Sequence, residues 1–191
     1  QLNLFINTTD TSGYPEIQTE SFWFTQNSPD LPRFIKQRRF KNRIKETLMA
    51  KTKNHNIAAI LVILLQPKSI GQIHLNGSSP HNPPIIYPNY FSKSEDMKTM
   101  IRGLRQQISF EGTKSFKKNG GKFIRLPLDE CDKFDYQSDK YFECYVQYFA
   151  STLYHPVGTC KMGPKSDPGA VVDSELKVHN VSGLRTIDAS M

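Results

Sequence analysis

The sequence predicts an α+β fold. Three observations carry this expectation. Strand-like and helix-like stretches follow one another in unequal runs, without the regular alternation of a doubly wound sheet. A nine-residue apolar run at 57–65 is bounded by polar turn residues. Two further stretches, beginning near residues 31 and 94, show apolar side chains at helical spacing. At 191 residues the chain is long enough for one sizeable domain and short for two. Its 37% hydrophobic content, with 12 Phe and 8 Tyr, supports a packed core and excludes a disordered, collagenous or coiled-coil chain.

Taken in order, residues 1–30 are polar and aromatic, with Gly13-Tyr14-Pro15 and Ser28-Pro29-Asp30 as turn signals, and are expected to be irregular with short strand pieces. Phe34, Ile35, Phe40, Ile44 and Leu48 recur at three- to five-residue spacing, which predicts one amphipathic helix over 31–51. Residues 56–66, rich in Ile, Leu and Val, read as a buried strand ended by Pro67-Lys68-Ser69. The alternation over 71–76 suits a half-buried strand, and 77–84, dense in Gly, Ser, Asn and Pro, is a loop. Ile85-Ile86-Tyr87 is a short strand closed by Pro88. Ser92 or Ser94 is placed to cap a helix through Met97, Met100, Ile101, Leu104 and Ile108, and Asn119-Gly120-Gly121 marks a turn. Ser138 caps a second helix over 139–150, with Tyr141, Cys144, Tyr145 and Tyr148 on one face. Three strand-like pieces follow, at 153–158, 171–179 and 184–189.

The net charge of +7 is concentrated over 33–53, where nine Lys and Arg stand against Glu46 alone. A solvated helix face is the expected reading, and a polyanion or membrane-surface contact is the sharper alternative. No zinc-finger spacing or aromatic RNA-binding motif accompanies the charge, so no nucleic-acid partner is expected. The longest apolar run is too short to span a bilayer as a helix, so no membrane span is expected either. Cys131, Cys144 and Cys160 permit one disulfide and a leftover thiol, and fix neither. The sequons at Asn7, Asn76 and Asn180 lean toward a secreted, extracellular context. The chain opens on Gln1 without a signal-peptide pattern and closes on Ala189-Ser190-Met191 in what reads as a strand, so both ends are expected to be cut.

The most informative segment is Tyr154-His155-Pro156-Val157-Gly158-Thr159-Cys160-Lys161-Met162-Gly163-Pro164. The proline makes the backbone extended at His155. A histidine projecting from a rigid strand end suits a positioned acid–base group, although an isolated histidine is more often a satisfied structural residue.

This segment does not stand alone. Together with Val171-Val172-Asp173, Leu176-Lys177-Val178-His179 and Gly183-Leu184-Arg185-Thr186-Ile187-Asp188-Ala189-Ser190, it resembles the C-terminal signature of the glucose–methanol–choline family of flavin-dependent alcohol oxidoreductases, in family order and spacing. The closest likeness is to the insect glucose-dehydrogenase-like branch. The resemblance extends upstream through Pro67 to Leu75, Pro83 to Tyr90 and Ser138 to Cys144, with Ile70 and Gln72 standing where many relatives carry arginine.

The resemblance implies a fold, a cofactor and roles. The α+β domain would be a mostly antiparallel sheet with helices on one face, the family's substrate-binding domain. It would occupy 1–160, with 161–191 a segment returning to an FAD-binding domain that the chain lacks. The implied reaction is transfer of hydride from the carbinol carbon of a small-molecule alcohol or sugar to FAD, with His155 facing substrate and flavin as the general base that takes the hydroxyl proton. Imidazole titrates near neutrality and, once protonated, stabilises alkoxide character. Asp188 and Ala189 match positions beside the FAD phosphates and ribityl chain. The electron acceptor, quinone or oxygen, is left open.

His179 is expected to be structural, Cys160 to serve packing or a disulfide, and His55, His74 and His81 receive no role. No Gly-x-Gly-x-x-Gly occurs among the 11 glycines, and the family's second active-site His or Asn falls past the last residue. The chain alone is therefore expected to be inactive. The alternatives are a non-enzymatic, degenerate family member and a basic binding module built on 33–53.

Overall fold

A computed structural model describes residues 2–9 and 13–191, so part of the Gly13-Tyr14-Pro15 approach (Asp10, Thr11 and Ser12) and Gln1 lie outside the description. The chain divides into two compact units: 1–69 with 91–149, and 70–90 with 150–191.

The first unit is built on an antiparallel sheet of three strands, β1 (Leu2–Ile6), β2 (Ile17–Phe24) and β3 (Ile57–Leu64), in that spatial order. The register runs from Ile17↔Leu64 to Phe24↔Ile57, so the central strand is paired along its whole length. β2 is a correction to the expected irregular opening. Its inward positions include Thr19 and Ser21, 3% and 9% exposed, so a count of apolar residues passes over it. The β-branched and aromatic content of Ile17, Thr19, Phe22, Trp23 and Phe24 was the available signal.

The single basic helix is also corrected. The chain forms α1 (Asp30–Gln37) and α2 (Asn42–Thr52), separated by a turn in which Arg39 takes a left-handed φ of 52°. The five-residue step from Ile35 to Phe40 overshoots the 3.6-residue period, and a continuous helix would carry Phe40 off the buried face. Breaking the helix lets Leu31 and Ile35 pack with Phe24 and Ile57 while Ile44 enters a second cluster.

That second cluster joins α2 to α3 (Ser94–Ser109), α5 (Asp129–Asp132) and α6 (Asp139–Phe149) through Ile44, Ile101, Leu128, Tyr141 and Phe142. Between α3 and α5 lie a 3-10 turn (Phe110–Gly112) and the short α4 (Lys114–Lys118). A disulfide between Cys131 and Cys144 ties α5 to α6, which resolves the pairing the sequence left open and leaves Cys160 a free, half-buried thiol.

Helix α3 comes close to the sheet at Gly103. A Cβ built there would meet Ile17 Cγ1 and Val62 Cγ1 at 3.1 Å each. Its start differs from the expected serine cap: Lys93 is the N-cap and makes no side-chain cap bond. The polar work is done instead by Asp96, 2% exposed, whose carboxylate accepts from the backbone N–H groups of Lys68 and Ser69 at 2.8 Å each. The Ser69 hydroxyl in turn accepts from Lys93 N at 3.0 Å. At α6 the expected cap is present, with Tyr141 N donating to Ser138 Oγ at 3.2 Å.

The second unit contains one two-stranded antiparallel ribbon, β4 (Gln72–His74) with β5 (Ile85–Tyr87). β4 is shorter than the expected strand, and all three of its residues are exposed rather than half-buried, because the ribbon has no covering layer among the described residues. Backbone packing fixes where it begins: a Cβ on Gly71 would fall 2.6 Å from Tyr87 O. No helix among the described residues is long and apolar enough to cross a membrane.

Three variants test these contacts through stability. Gly103→Leu is expected to lower the urea-denaturation free energy by about 1–3 kcal/mol through overpacking. Gly103→Ala should sit near wild type, since gained helix propensity of about 1 kcal/mol offsets the tight contact. An unshifted Gly103→Leu would contradict the close approach. Asp96→Ala should cost about 1–3 kcal/mol by stranding two N–H donors. Burial opposes the charge on Asp96, but the bonds from Lys68 and Ser69 outweigh it and hold the carboxyl below its usual range. A depressed folded-state pKa stabilises the fold fully above the unfolded value of about 3.9 and loses that contribution as pH falls through the folded value. The gap between wild type and Asp96→Ala should therefore be constant near neutrality and shrink only in acid below about pH 4.

Candidate functional site

The residues singled out by sequence lie in the second unit, on 150–191. This stretch contains no helix and no extended strand, which corrects the three strand-like pieces. Single bridges take their place: Met162 to Val172, Val172 to Val178, and Lys177 to Arg185. The physical reason is that Pro156, Pro164 and Pro168 withhold N–H donors, and left-handed turns at Leu176, Asn180 and Gly183 interrupt every run before a ladder can extend.

Order comes from a few polar anchors around one buried side chain. Val172, 0% exposed, takes part in two of the three bridges. Gly163 N donates to Val172 O at 2.9 Å and His179 N to Val171 O at 2.9 Å. Asp173 Oδ1 accepts from both Glu175 N and Lys177 N at 2.9 Å, an Asx turn that starts the return of the chain. Chiefly because of the Lys177 N–H, the Asp173 carboxyl lies below its usual range. Asp167 accepts from Gly169 N at 2.8 Å and from Lys161 Nζ at 2.6 Å. His179 Nε2–H donates to the Gly163 carbonyl at 3.1 Å, which fits the structural role expected of it.

His155 is exposed, and the strand end expected to carry it is absent. Its position is set by its neighbours instead. Tyr154, with φ 65°, occupies the left-handed region that a bulky side chain rarely enters, and its N–H donates to Thr152 Oγ1 at 2.9 Å. Pro156 disfavours helical backbone at His155 from the other side. The imidazole makes no hydrogen bond among the described residues.

Asp188 and Ala189 are also exposed. They sit in a terminal turn where Ser190 N donates to Asp188 Oδ1 at 2.8 Å. The Ser190 hydroxyl and N–H hold the Asp188 carboxyl below its usual range, so it is an anion at neutral pH. One bond links the two segments: Cys160 N donates to Ser190 O at 2.6 Å, joining the stretch that follows His155 to the Asp188–Ser190 turn. Cys160 thus contributes through its backbone, and its thiol is outside the disulfide. Val157, 68% exposed, and Ile187, 70% exposed, add apolar surface within the same two segments.

Sequence reasoning missed the Val172 hub and the Asp173 turn. The Asp-Ser pair at 173–174 was a usable turn signal, whereas burial of Val172 depends on bridges that no local pattern announces. Among the described residues, no group of three His, Cys, Asp or Glu is placed to hold a metal ion.

Comparison with known proteins gives a consistent picture. A family model described as GMC oxidoreductase matches residues 67–191. Glucose dehydrogenase [FAD, quinone] of Drosophila pseudoobscura pseudoobscura is 38% identical over 138 residues, which is 72% of this chain and 22% of the relative. Ecdysone oxidase of Spodoptera littoralis is 32% identical over 152 residues, 80% of this chain and 24% of the relative. Mitochondrial choline dehydrogenase of Mus musculus is 37% identical over 130 residues, 66% of this chain and 20% of the relative. The chain thus spans about a fifth to a quarter of the curated relatives it matches. Among solved structures, pyridoxine 4-oxidase from Mesorbium loti superposes with a TM-score of 0.67 at 20% identity, covering 99% of this chain and 32% of that one. Formate oxidase gives a TM-score of 0.67 at 25% identity, covering 94% and 27%.

Proposed function

Because the chain belongs to the GMC oxidoreductase family, we propose that it is the substrate-side part of an FAD-dependent enzyme that oxidises CH–OH groups of alcohols or sugars. In this reading residues 1–160 supply the substrate-binding domain and 161–191 lead back toward the FAD-binding part. The observation that carries the proposal is the match of the family model to residues 67–191, within which an exposed histidine and an exposed anionic turn lie on segments linked by the Cys160–Ser190 bond.

His155 is the general base. Its side chain is free to approach a substrate hydroxyl, and its backbone is restricted on both sides by Tyr154 and Pro156. Taking the hydroxyl proton raises electron density on the carbinol carbon and eases loss of hydride; the imidazolium so formed then stabilises the developing oxyanion character. FAD, when bound, supplies the hydride acceptor.

The residues present fit part of that cofactor. Asp188, being anionic, is suited to sugar and ribityl hydroxyls or amide N–H groups and not to the phosphates themselves, while Ala189 is small enough for close approach. The phosphate cradle of a Gly-x-Gly-x-x-Gly turn is not among these residues, so this chain contributes only one edge of the cofactor site. An extracellular location is supported by the Cys131–Cys144 disulfide, since such bonds persist in oxidising compartments.

In the flavin-loaded protein of native length, His155→Gln is expected to lower the rate of flavin reduction by alcohol roughly 10²- to 10⁴-fold while bound flavin stays stoichiometric. Stopped-flow absorbance measures both, and an unchanged reduction rate would exclude the base role. The chain expressed by itself should purify without flavin absorbance and without alcohol-dependent dye reduction. Stoichiometric flavin on the isolated chain would overturn the division of the cofactor site.

A further inference from the structure

The break between α1 and α2 creates a cleft of about 530 Å³ with no part in the chemistry above. Its floor is apolar, from Ile35 and Phe40, and its walls carry four cations: Arg33 and Lys36 on α1, Arg39 in the turn, and Lys45 on α2. Asp30 and Glu46, the acids of the two helices, do not line it.

Two contrasts separate this cleft from an ordinary basic surface. Lys41 and Arg43, on the same stretch of chain, are neutralised by Glu130 and Asp129. Arg33, Lys36, Arg39 and Lys45 form no ion pair among the described residues. The second contrast is conformational. Arg39 takes φ 52°, uncommon for a residue with a Cβ, and the turn it makes joins the two helices that carry the lining cations. Like charges converging without counter-ions repel one another, so the arrangement is relieved when an anion enters.

We propose that the α1–α2 cleft is a docking site for a sulfated polysaccharide. Repeated sulfates match a row of cations, and guanidinium groups bind oxyanions in paired hydrogen bonds. Other polyanions fit less well. No large apolar side chain of 31–53 is strongly exposed for insertion into a membrane. The aromatic ring lining the cleft, Phe40, is engaged edge-on with Phe149, so the cleft presents no free ring to stack on bases. The Cys131–Cys144 disulfide belongs to oxidising compartments, where sulfated polysaccharides are found and nucleic acids are scarce. This inference is independent of the proposed redox function.

The test uses native-length protein and heparin as the probe. It should be retained on immobilised heparin above about 0.15 M salt, and should elute there at higher salt than from a sulfopropyl exchanger. The triple variant Arg33→Ser/Lys36→Ser/Arg39→Ser should bind a heparin oligosaccharide at least about tenfold more weakly, with the log-affinity against log-salt slope reduced by roughly 2 to 3. Lys45→Glu, on the opposite wall, should weaken binding by itself, whereas Lys41→Ser/Arg43→Ser should change it by less than about threefold, because those charges are already paired. Flow-through at physiological salt, elution no later than from the sulfopropyl resin, or undiminished affinity in the triple variant would overturn the proposal. So would equal affinity for phosphatidylserine vesicles or duplex DNA.

Discussion

The missing side chain at position 103 governs how the first unit is assembled. With hydrogen alone on Gly103, α3 rests against Ile17 and Val62, and its Ile101 reaches the cluster shared with α2, α5 and α6. A bulky residue there would lift the helix from the strands that pair across Ile17↔Leu64 and loosen both the sheet face and the helical cluster beneath it. A helix-weakening glycine in mid-helix thus reflects a close packing contact, and its cost in helix propensity is offset by the approach it permits.

Local pattern made much of the fold legible. The run at 57–65, the strand at 85–87, the helix from 94 and the Ser138 cap all appear where composition and spacing place them. What escaped depended on partners distant in sequence. β2 hides polar Thr19 and Ser21 between neighbours on both sides, and only pairing with β1 and β3 reveals it as central. The split between α1 and α2 was written in the Ile35–Phe40 spacing, but the choice between one imperfect helix and two good ones is made by the two separate clusters they serve.

The candidate site was legible through motif likeness and less so in shape. His155, Asp188 and Ala189 lie within the stretch that the family model matches, and their roles are those proposed above. The strand framework imagined for them is absent, because segments broken by proline and left-handed turns cannot sustain a ladder. Their arrangement rests on the locally signalled Asp173 turn and on the Val172 bridges and the Cys160–Ser190 bond, the last two being relations that periodicity does not announce.

The Asp96 carboxylate and the Ser69–Lys93 bond have a further consequence. Together they pinch the chain where 70–90 departs and returns, so the mouth of that excursion is closed by hydrogen bonds belonging to the first unit. A segment fastened at its neck behaves as an interchangeable cassette. Doubling its length adds only about 0.6 kcal/mol of closure entropy. Descendants of this sequence are therefore at liberty to rewrite Gln72 to Tyr87, with the exposed Ile73 and Ile86, without disturbing the three-stranded sheet. The neck thus insulates the first unit from change in 70–90, a stretch that forms its own compact unit with 150–191.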